Sequence, residues 1–301
     1  MITLRDVWAK SPSQEGKEGE SLVEHTYRVL LALRAVLAKY SPPDETCREW
    51  LFWGAVLHDL GKAAKGFQAR VRGLRNDWGA HRHEVLSLAF LDWLVPKEEE
   101  AARKWIAAIV LSHHKENKDI QQLYSVYSSG GIREIMRLVQ ELDERQLEAV
   151  HQWVTEIVPT WKQVLGFGPV RWDGYPVESF DSASFYARAV DSMIEALTNY
   201  DQLVYSLADQ KNKNEVLLGT FLRGAILLSD HRASAGVFRF KALPESSQRS
   251  LLPLLNRKEA ELYNHQKRAW GEAGSVVVIS PTGSGKTETA LLWGIGIIPS
   301  R

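Results

Sequence analysis

The run Leu57-His58-Asp59-Leu60-Gly61-Lys62 decides how this chain is read. It closes a helix expected over about residues 44–60, and Gly61 is a residue suited to the left-handed conformation that often follows a helix. An imidazole and a carboxylate side by side at such a helix end can reach one or two metal ions from a single turn. Working outward, the preceding segment repeats Leu22, Val29, Leu33, Val36 and Leu37 at helical spacing. Ser21 stands as its N-cap with Glu24 three residues on as a capping box, and Ser41-Pro42-Pro43 ends it. Further helices are expected at about 82–95, 98–114, 131–156, 183–208 and 214–234. Ser128 to Gly131 and Gly166 to Pro176 read as loops. With helices and loops alone up to Ala235, residues 1–236 are expected to form an all-α domain.

The chain has 301 residues, enough for one large domain or two ordinary ones. Hydrophobic residues make up 45% and charged residues 25%, which excludes intrinsic disorder as the main state. Lys plus Arg and Asp plus Glu both number 37, so an anionic partner must be held by a local patch or by metal. A single cysteine, Cys47, excludes a disulfide framework and a cysteine-built zinc site, and fits a reducing cytoplasm. Met1 to Glu20 has no signal-peptide core and no stretch is apolar enough to span a bilayer, so no membrane partner is expected. Nothing in the pattern sets an oligomeric state.

Histidines recur where the helices turn apolar. His25 shares a face with Leu22 and Val29, His83 opens the third helix, and His113-His114 follow Ile106, Ile109 and Val110. Asp230 follows Ile226 and Leu227. One such histidine is ordinarily a satisfied core residue, but this many polar groups buried separately would be costly. Gathering them around transition-metal ions removes the cost.

In order and spacing, His25, His58-Asp59, His83, His113-His114 and Asp230 resemble the HD superfamily of metal-dependent phosphohydrolases. The motifs His58 to Lys62, His83-Glu84 with Ser87, Ser112-His113-His114, and Ser229-Asp230 with Ala233-Ser234 more closely resemble the HD nuclease domain of the CRISPR-associated helicase-nucleases of type I interference systems. The resemblance covers about residues 20–236 and implies an HD-superfamily helical fold holding two divalent ions. It implies that His25, His58, Asp59 and Asp230 hold one ion, and that Asp59, His83, His113 and His114 hold the other. Asp59 would be the catalytic bridge. Histidine-rich ligation favours manganese, nickel, cobalt or iron, with magnesium a further option. Lys62 would neutralise a phosphate oxygen; the alternative is an exposed lysine beyond a helix end. His81 competes with His83, which Glu84 and Ser87 favour, while His151 and His231 read as structural or exposed.

Six cations, Lys62, Lys65, Arg70, Arg72, Arg75 and Arg82, lie in one stretch against the single acid Asp77. With Phe67 and Trp78 among them, the stretch suits single-stranded DNA; the alternative is a solvated loop with two anchoring aromatics. Other tryptophans, including Trp53, Trp93 and Trp105, read as core.

Past an expected linker at 237–258, the β-branched run Val276 to Ile279 reads as a buried parallel strand. It leads into Thr282-Gly283-Ser284-Gly285-Lys286-Thr287, a phosphate-binding loop that departs from the usual pattern only in having Ser280 at its first position. Gly283, Ser284, Gly285, Lys286 and Thr287 would cradle ATP and its magnesium. Gln266, in Leu262 to Gln266, resembles the adenine-reading glutamine segment of superfamily 2 helicases. Residues 259–301 are thus expected to be the start of a truncated α/β, RecA-like helicase domain, and a lone strand and helix without their sheet neighbours are expected to be mobile, partly disordered or packed irregularly. The remaining motor motifs do not fit in the 14 residues from Glu288 to Arg301, so ATP hydrolysis by this chain alone is not expected.

The resemblance implies a metal-dependent nuclease acting on single-stranded DNA in antiviral defence, coupled to a helicase and partnered by an RNA-guided surveillance complex. The alternatives are an HD phosphohydrolase acting on small nucleotides and a binding module with a degenerate site; the complete ligand set argues against the last.

Overall fold

The computed structural model describes residues 4–12, 18–114, 117–209, 212–240, 252–253, 258–272, 274 and 276–296. The chain divides into two compact units, Met1–Phe240 and Lys241–Arg301. In the first, a short antiparallel pair, β1 (Trp8–Lys10) and β2 (Glu20–Ser21), precedes helices α1 (Leu22–Lys39), α2 (Thr46–Leu57) and α3 (Lys65–Val71). Then come α4 (His83–Ser87), α5 (Leu91–Leu94), α6 (Glu100–Ser112), α7 (Asn117–Tyr124), α8 (Ser129–Gln140), α9 (Glu144–Gln152) and α10 (Val158–Val164). The long helices α11 (Ser182–Ala208) and α12 (Lys213–Ser234) complete the unit. The β1–β2 pair departs from the expectation of helices and loops alone. Its strands are three and two residues long, too short to show an alternating pattern.

Helix α2 is the centre of the core, with Leu51, Phe52, Trp53, Ala55, Val56 and Leu57 all buried. It packs on α6, while α1 packs on α12. Gly54 makes the α2–α6 approach possible, since a Cβ there would lie 2.6 Å from Ile109 Cγ2. Ser21 caps α1 by accepting from the Glu24 N–H at 3.2 Å. The reciprocal half of the expected capping box is not made, because the Glu24 carboxylate turns to Arg28.

The helix expected to run to Leu60 ends at Leu57 and re-forms as a 3₁₀ turn over Leu60–Ala63. Gly61 is not in the left-handed region. It is glycine because a Cβ would lie 2.1 Å from the His83 carbonyl oxygen, so the turn can press against α4. The run expected over 82–95 is broken by a 3₁₀ turn at Leu88–Phe90. That over 131–156 breaks before Asp143, which caps α9 in a capping box with Gln146. Ser128 to Gly131, expected as a loop, instead starts α8, with Ser128 Oγ accepting from the Gly131 N–H at 3.0 Å. Residues 166–176 are loop as expected.

In the second unit, α13 (Asn264–Trp270) and α14 (Lys286–Gly296) enclose a small apolar cluster of Leu252, Leu262 and Leu292 with Trp270 against it. Val276 to Ile279 is not part of a strand, and Val277 and Ile279 are 88% and 93% exposed. The buried strand that the residues suggest is thus not formed, and the exposure agrees with the expectation of irregular packing: a parallel strand is buried only when neighbouring strands and crossover helices cover it. Most of the expected linker, residues 241–251 and 254–257, lies outside the described residues. Among the described residues no helix is long and apolar enough to cross a membrane.

Candidate metal centre

Three helix termini and two helix interiors converge on Asp59. His25 lies within α1 and Asp230 within α12, while His58 and Asp59 follow α2. His83 opens α4, and His113 with His114 follows α6. The fold brings all seven sequence-predicted ligands together in two clusters. Asp59, His83, His113 and His114 offer ligand atoms within 4.8 Å of one another, and so do His25, His58 and Asp230.

Asp59 faces both clusters, one oxygen to each. Its Oδ2 is 3.3 Å from both His25 Nε2 and His58 Nε2, and its Oδ1 is 3.1 Å from His83 Nε2 and 3.9 Å from His113 Nε2. Asp230 Oδ1 lies 3.2 Å from His25 Nε2. Ser87 braces the arrangement from behind: its Oγ accepts from the Gly61 N–H at 2.9 Å and lies 3.0 Å from the His58 carbonyl. His114 is the exposed member of the set, so the centre opens on its side.

The donor atoms fit metal ions. His58 donates from Nδ1 to the Ala55 carbonyl at 2.7 Å, and His113 from Nδ1 to the Val110 carbonyl. Each ring therefore presents a lone pair at Nε2. His58 Nε2, His83 Nε2, His113 Nε2 and Asp59 Oδ1 are all buried without a hydrogen-bond partner. Leaving a polar atom so costs about 1–3 kcal/mol each, a cost that a shared divalent ion would offset.

The charges separate along the same line. Burial opposes charge on His25, but the Asp230, Asp59 and Glu20 carboxylates outweigh it and push the imidazole up to about 10. Burial likewise works against the Asp59 carboxylate, yet His58, Lys62 and His25 hold it well below the usual range. Asp230 is lowered too, against its own burial, mainly by His25. In the other cluster burial and neighbouring imidazoles act together, pushing His113 well down and His114 down to about 4. One cluster is rich in carboxylates, the other in neutral imidazoles.

Lys62 is buried, not an exposed lysine beyond a helix end, and its Nζ donates to Asp59 Oδ2 at 2.7 Å. His81 stays outside both clusters, its Nδ1 3.3 Å from the Tyr124 hydroxyl. His151 is a buried structural residue whose Nε2 donates to the Val177 carbonyl at 2.7 Å, and His231 is exposed. The stacking role expected of Trp78 is not available, because its ring is 1% exposed and meets Phe67 edge-on. Arg72 lies over the Trp8 ring at 4.5 Å and donates to Gln68 and the Asp6 carbonyl, so it ties α3 to β1. Lys65, Arg70 and Arg75 remain exposed.

Two neighbours of the ligands carried little sequence signal. Glu20 reaches His25 only through the β1–β2 pair, and Glu84 stands beside His83 as a buried carboxylate. Glu84 stood out in the sequence only as part of the His83-Glu84 motif that favoured His83 over His81, with no role of its own.

In the second unit, Gly283 and Gly285 take positive φ of 80° and 76°, the backbone such a loop requires. Lys286 Nζ donates to the Ser280 and Pro281 carbonyls at 2.9 and 3.0 Å, and Ser284 Oγ meets Ser280 Oγ at 2.7 Å. Thr287 is exposed in the first turn of α14. Gln266 is buried: its Oε1 caps α13 by accepting from the Tyr263 N–H, and its Nε2 donates to Glu288 and Gly285.

A mostly helical unit with two histidine and carboxylate clusters facing one aspartate marks a domain of the HD class, whose members bind divalent metals. Residues 8–234 match the family described as "Cas3, HD domain", and the chain belongs to that family. It is 24% identical over 281 residues to the CRISPR-associated nuclease/helicase Cas3 of Methanothermobacter thermautotrophicus, covering 84% of this chain and 32% of that protein. The chain thus spans about a third of that relative's length. Among solved structures it is similar to the crystal structure of T. fusca Cas3-ADP, at 19% identity and a TM-score of 0.35, covering 98% of this chain and 34% of that one.

Proposed function

We propose that residues 1–236 form a metal-dependent nuclease that hydrolyses phosphodiester bonds of single-stranded DNA. The observation that carries this reading is Asp59, whose two oxygens face two separate histidine clusters, in which His58 Nε2 on one side and His83 Nε2 and His113 Nε2 on the other are buried without a hydrogen-bond partner. His25, His58, Asp59 and Asp230 would hold one divalent ion, and Asp59, His83, His113 and His114 the other. Such a pair, when bound, stabilises both the attacking and the leaving oxygen of an in-line displacement. The chain's own residues orient the centre: the Ala55 and Val110 carbonyls fix the ring planes of His58 and His113, and Ser87 holds the His58 backbone carbonyl. Lys62, at the edge of Asp59, supplies positive charge for a phosphate oxygen. DNA as substrate is supported by the family, by the relative's printed name, and by the exposed cations Lys65, Arg70 and Arg75.

Residues 237–258 are the proposed linker, and 259–301 the proposed start of a superfamily 2 helicase domain that binds ATP and magnesium through Gly283 to Thr287 in a longer protein. There the motor would feed one strand to the HD centre after an RNA-guided surveillance complex opens the target.

The test is incubation of metal-stripped protein, reloaded with manganese, nickel, cobalt, iron or magnesium, with circular single-stranded DNA and with a nucleotide panel. Cutting of the circle without ATP is expected, and Asp59→Ala or His58→Ala should abolish it. Phosphate release from nucleotides with the circle intact would favour a small-nucleotide phosphohydrolase, and cutting that depended on Lys286 but not on Asp59 would contradict the assignment.

A further inference from the structure

The histidines of the centre are held at the ring nitrogen that faces away from Asp59, and the holders differ. His58 and His113 rest on backbone carbonyls within their own helix ends. His25 and His83 rest on carboxylates: Glu20 Oε2 and Glu84 Oε2 each lie 3.5 Å from the Nδ1 concerned. Each cluster therefore contains one carbonyl-backed and one carboxylate-backed imidazole. A carboxylate at this position fixes the tautomer and the ring plane and raises the basicity of the metal-facing nitrogen.

The two carboxylates are not equivalent. Glu20 already meets Lys10 at 3.5 Å and Arg28 at 3.3 Å, so its charge is compensated on the surface. Glu84 is 1% exposed, its Oε1 has no hydrogen-bond partner, and among the described residues no lysine or arginine pairs with it. A buried carboxylate left in that state is expensive unless a positive charge lies nearby. The cluster it backs is also the poorer in charge, with three imidazoles and only the shared Asp59 carboxylate.

We propose that Glu84 is the positioning residue of the imidazole-rich half, holding His83 through Nδ1 and adding a second negative charge beside a divalent ion there; this rests on the two-metal reading above. Glu20 plays the lesser counterpart for His25.

The test is a calorimetric titration of the metal-stripped full chain with manganese, alongside thermal unfolding of each metal-free variant. Wild type should take up two ions. Glu84→Gln keeps the shape and should unfold close to wild type, yet weaken one of the two ions about tenfold while the other keeps its affinity. Glu84→Leu, which also removes the acceptor for Nδ1, should weaken the same ion further. In the His114→Ala background, Glu84→Gln should leave the remaining ion unchanged, whereas Glu20→Gln should lower it. Wild-type affinity for both ions in Glu84→Gln, or an equal loss at both, overturns the proposal. Wild-type protein that binds fewer than two ions overturns the two-metal reading itself, and this proposal with it.

Discussion

Two regions of this chain carry motifs suited to phosphate chemistry, and they are built in opposite ways. The HD centre draws its proposed ligands from five helices of one unit and buries most of them, opening at His114. The Gly283 to Thr287 loop has its glycines in the required conformation, but its lysine donates to carbonyls of its own loop and the run before it lies open to solvent. A centre made of side chains at helix ends is complete once those helices pack. A loop that belongs to a parallel sheet depends on strands from elsewhere in the sequence.

The comparison is broken most severely at Asp59. Asp59→Ala removes the carboxylate that the two clusters share, one oxygen to each, and metal affinity should fall by more than about 100-fold, beyond the range seen for the second-layer partners of ligands. Retention of tight binding by that variant would show that the clusters do not share a ligand.

Gly61→Ala tests the packing beneath the centre. Its Cβ would meet the His83 carbonyl at 2.1 Å, so the turn must move away from α4. Overpacking of this kind should cost about 1–3 kcal/mol in urea unfolding, with weaker metal binding in the same protein. Full stability and full binding together would mean that the turn is more pliant than its contacts indicate.

Ser87→Ala leaves the Gly61 N–H without its acceptor and frees the His58 carbonyl. A loss of about 1 kcal/mol is expected, read by the same unfolding experiment, since one buried donor is left unpaired.

The smallest effect belongs to the other region. Val277→Thr and Ile279→Thr alter side chains already exposed, so each should change stability by less than about 0.5 kcal/mol. A larger loss would show that this run packs as a strand after all and would erase the contrast between the two regions.

Much of the HD centre was legible in the sequence because its ligands fall at the ends of apolar helical runs or on their buried faces. His25 beside Leu22 and Val29, or His113 after Ile109 and Val110, is a local pattern that survives folding unchanged. What escaped depends on contacts between distant segments. Gly61 read as a helix stop, but the His83 carbonyl explains it, 22 residues further on. The β1–β2 pair that brings Glu20 to His25 is too short to announce itself. Trp78 has the composition of a stacking platform and the burial of a core residue, a distinction only packing makes. In Val276 to Ile279 the residues are those of a strand, while among the described residues no strand pairs with them.

The central claim, that one aspartate joins two metal positions, is tested most directly by anomalous scattering from manganese-loaded crystals of this chain. The account predicts two peaks, one beside each oxygen of Asp59, the first among His25, His58 and Asp230 and the second among His83, His113 and His114. A single peak, or two peaks of which only one touches Asp59, would contradict it.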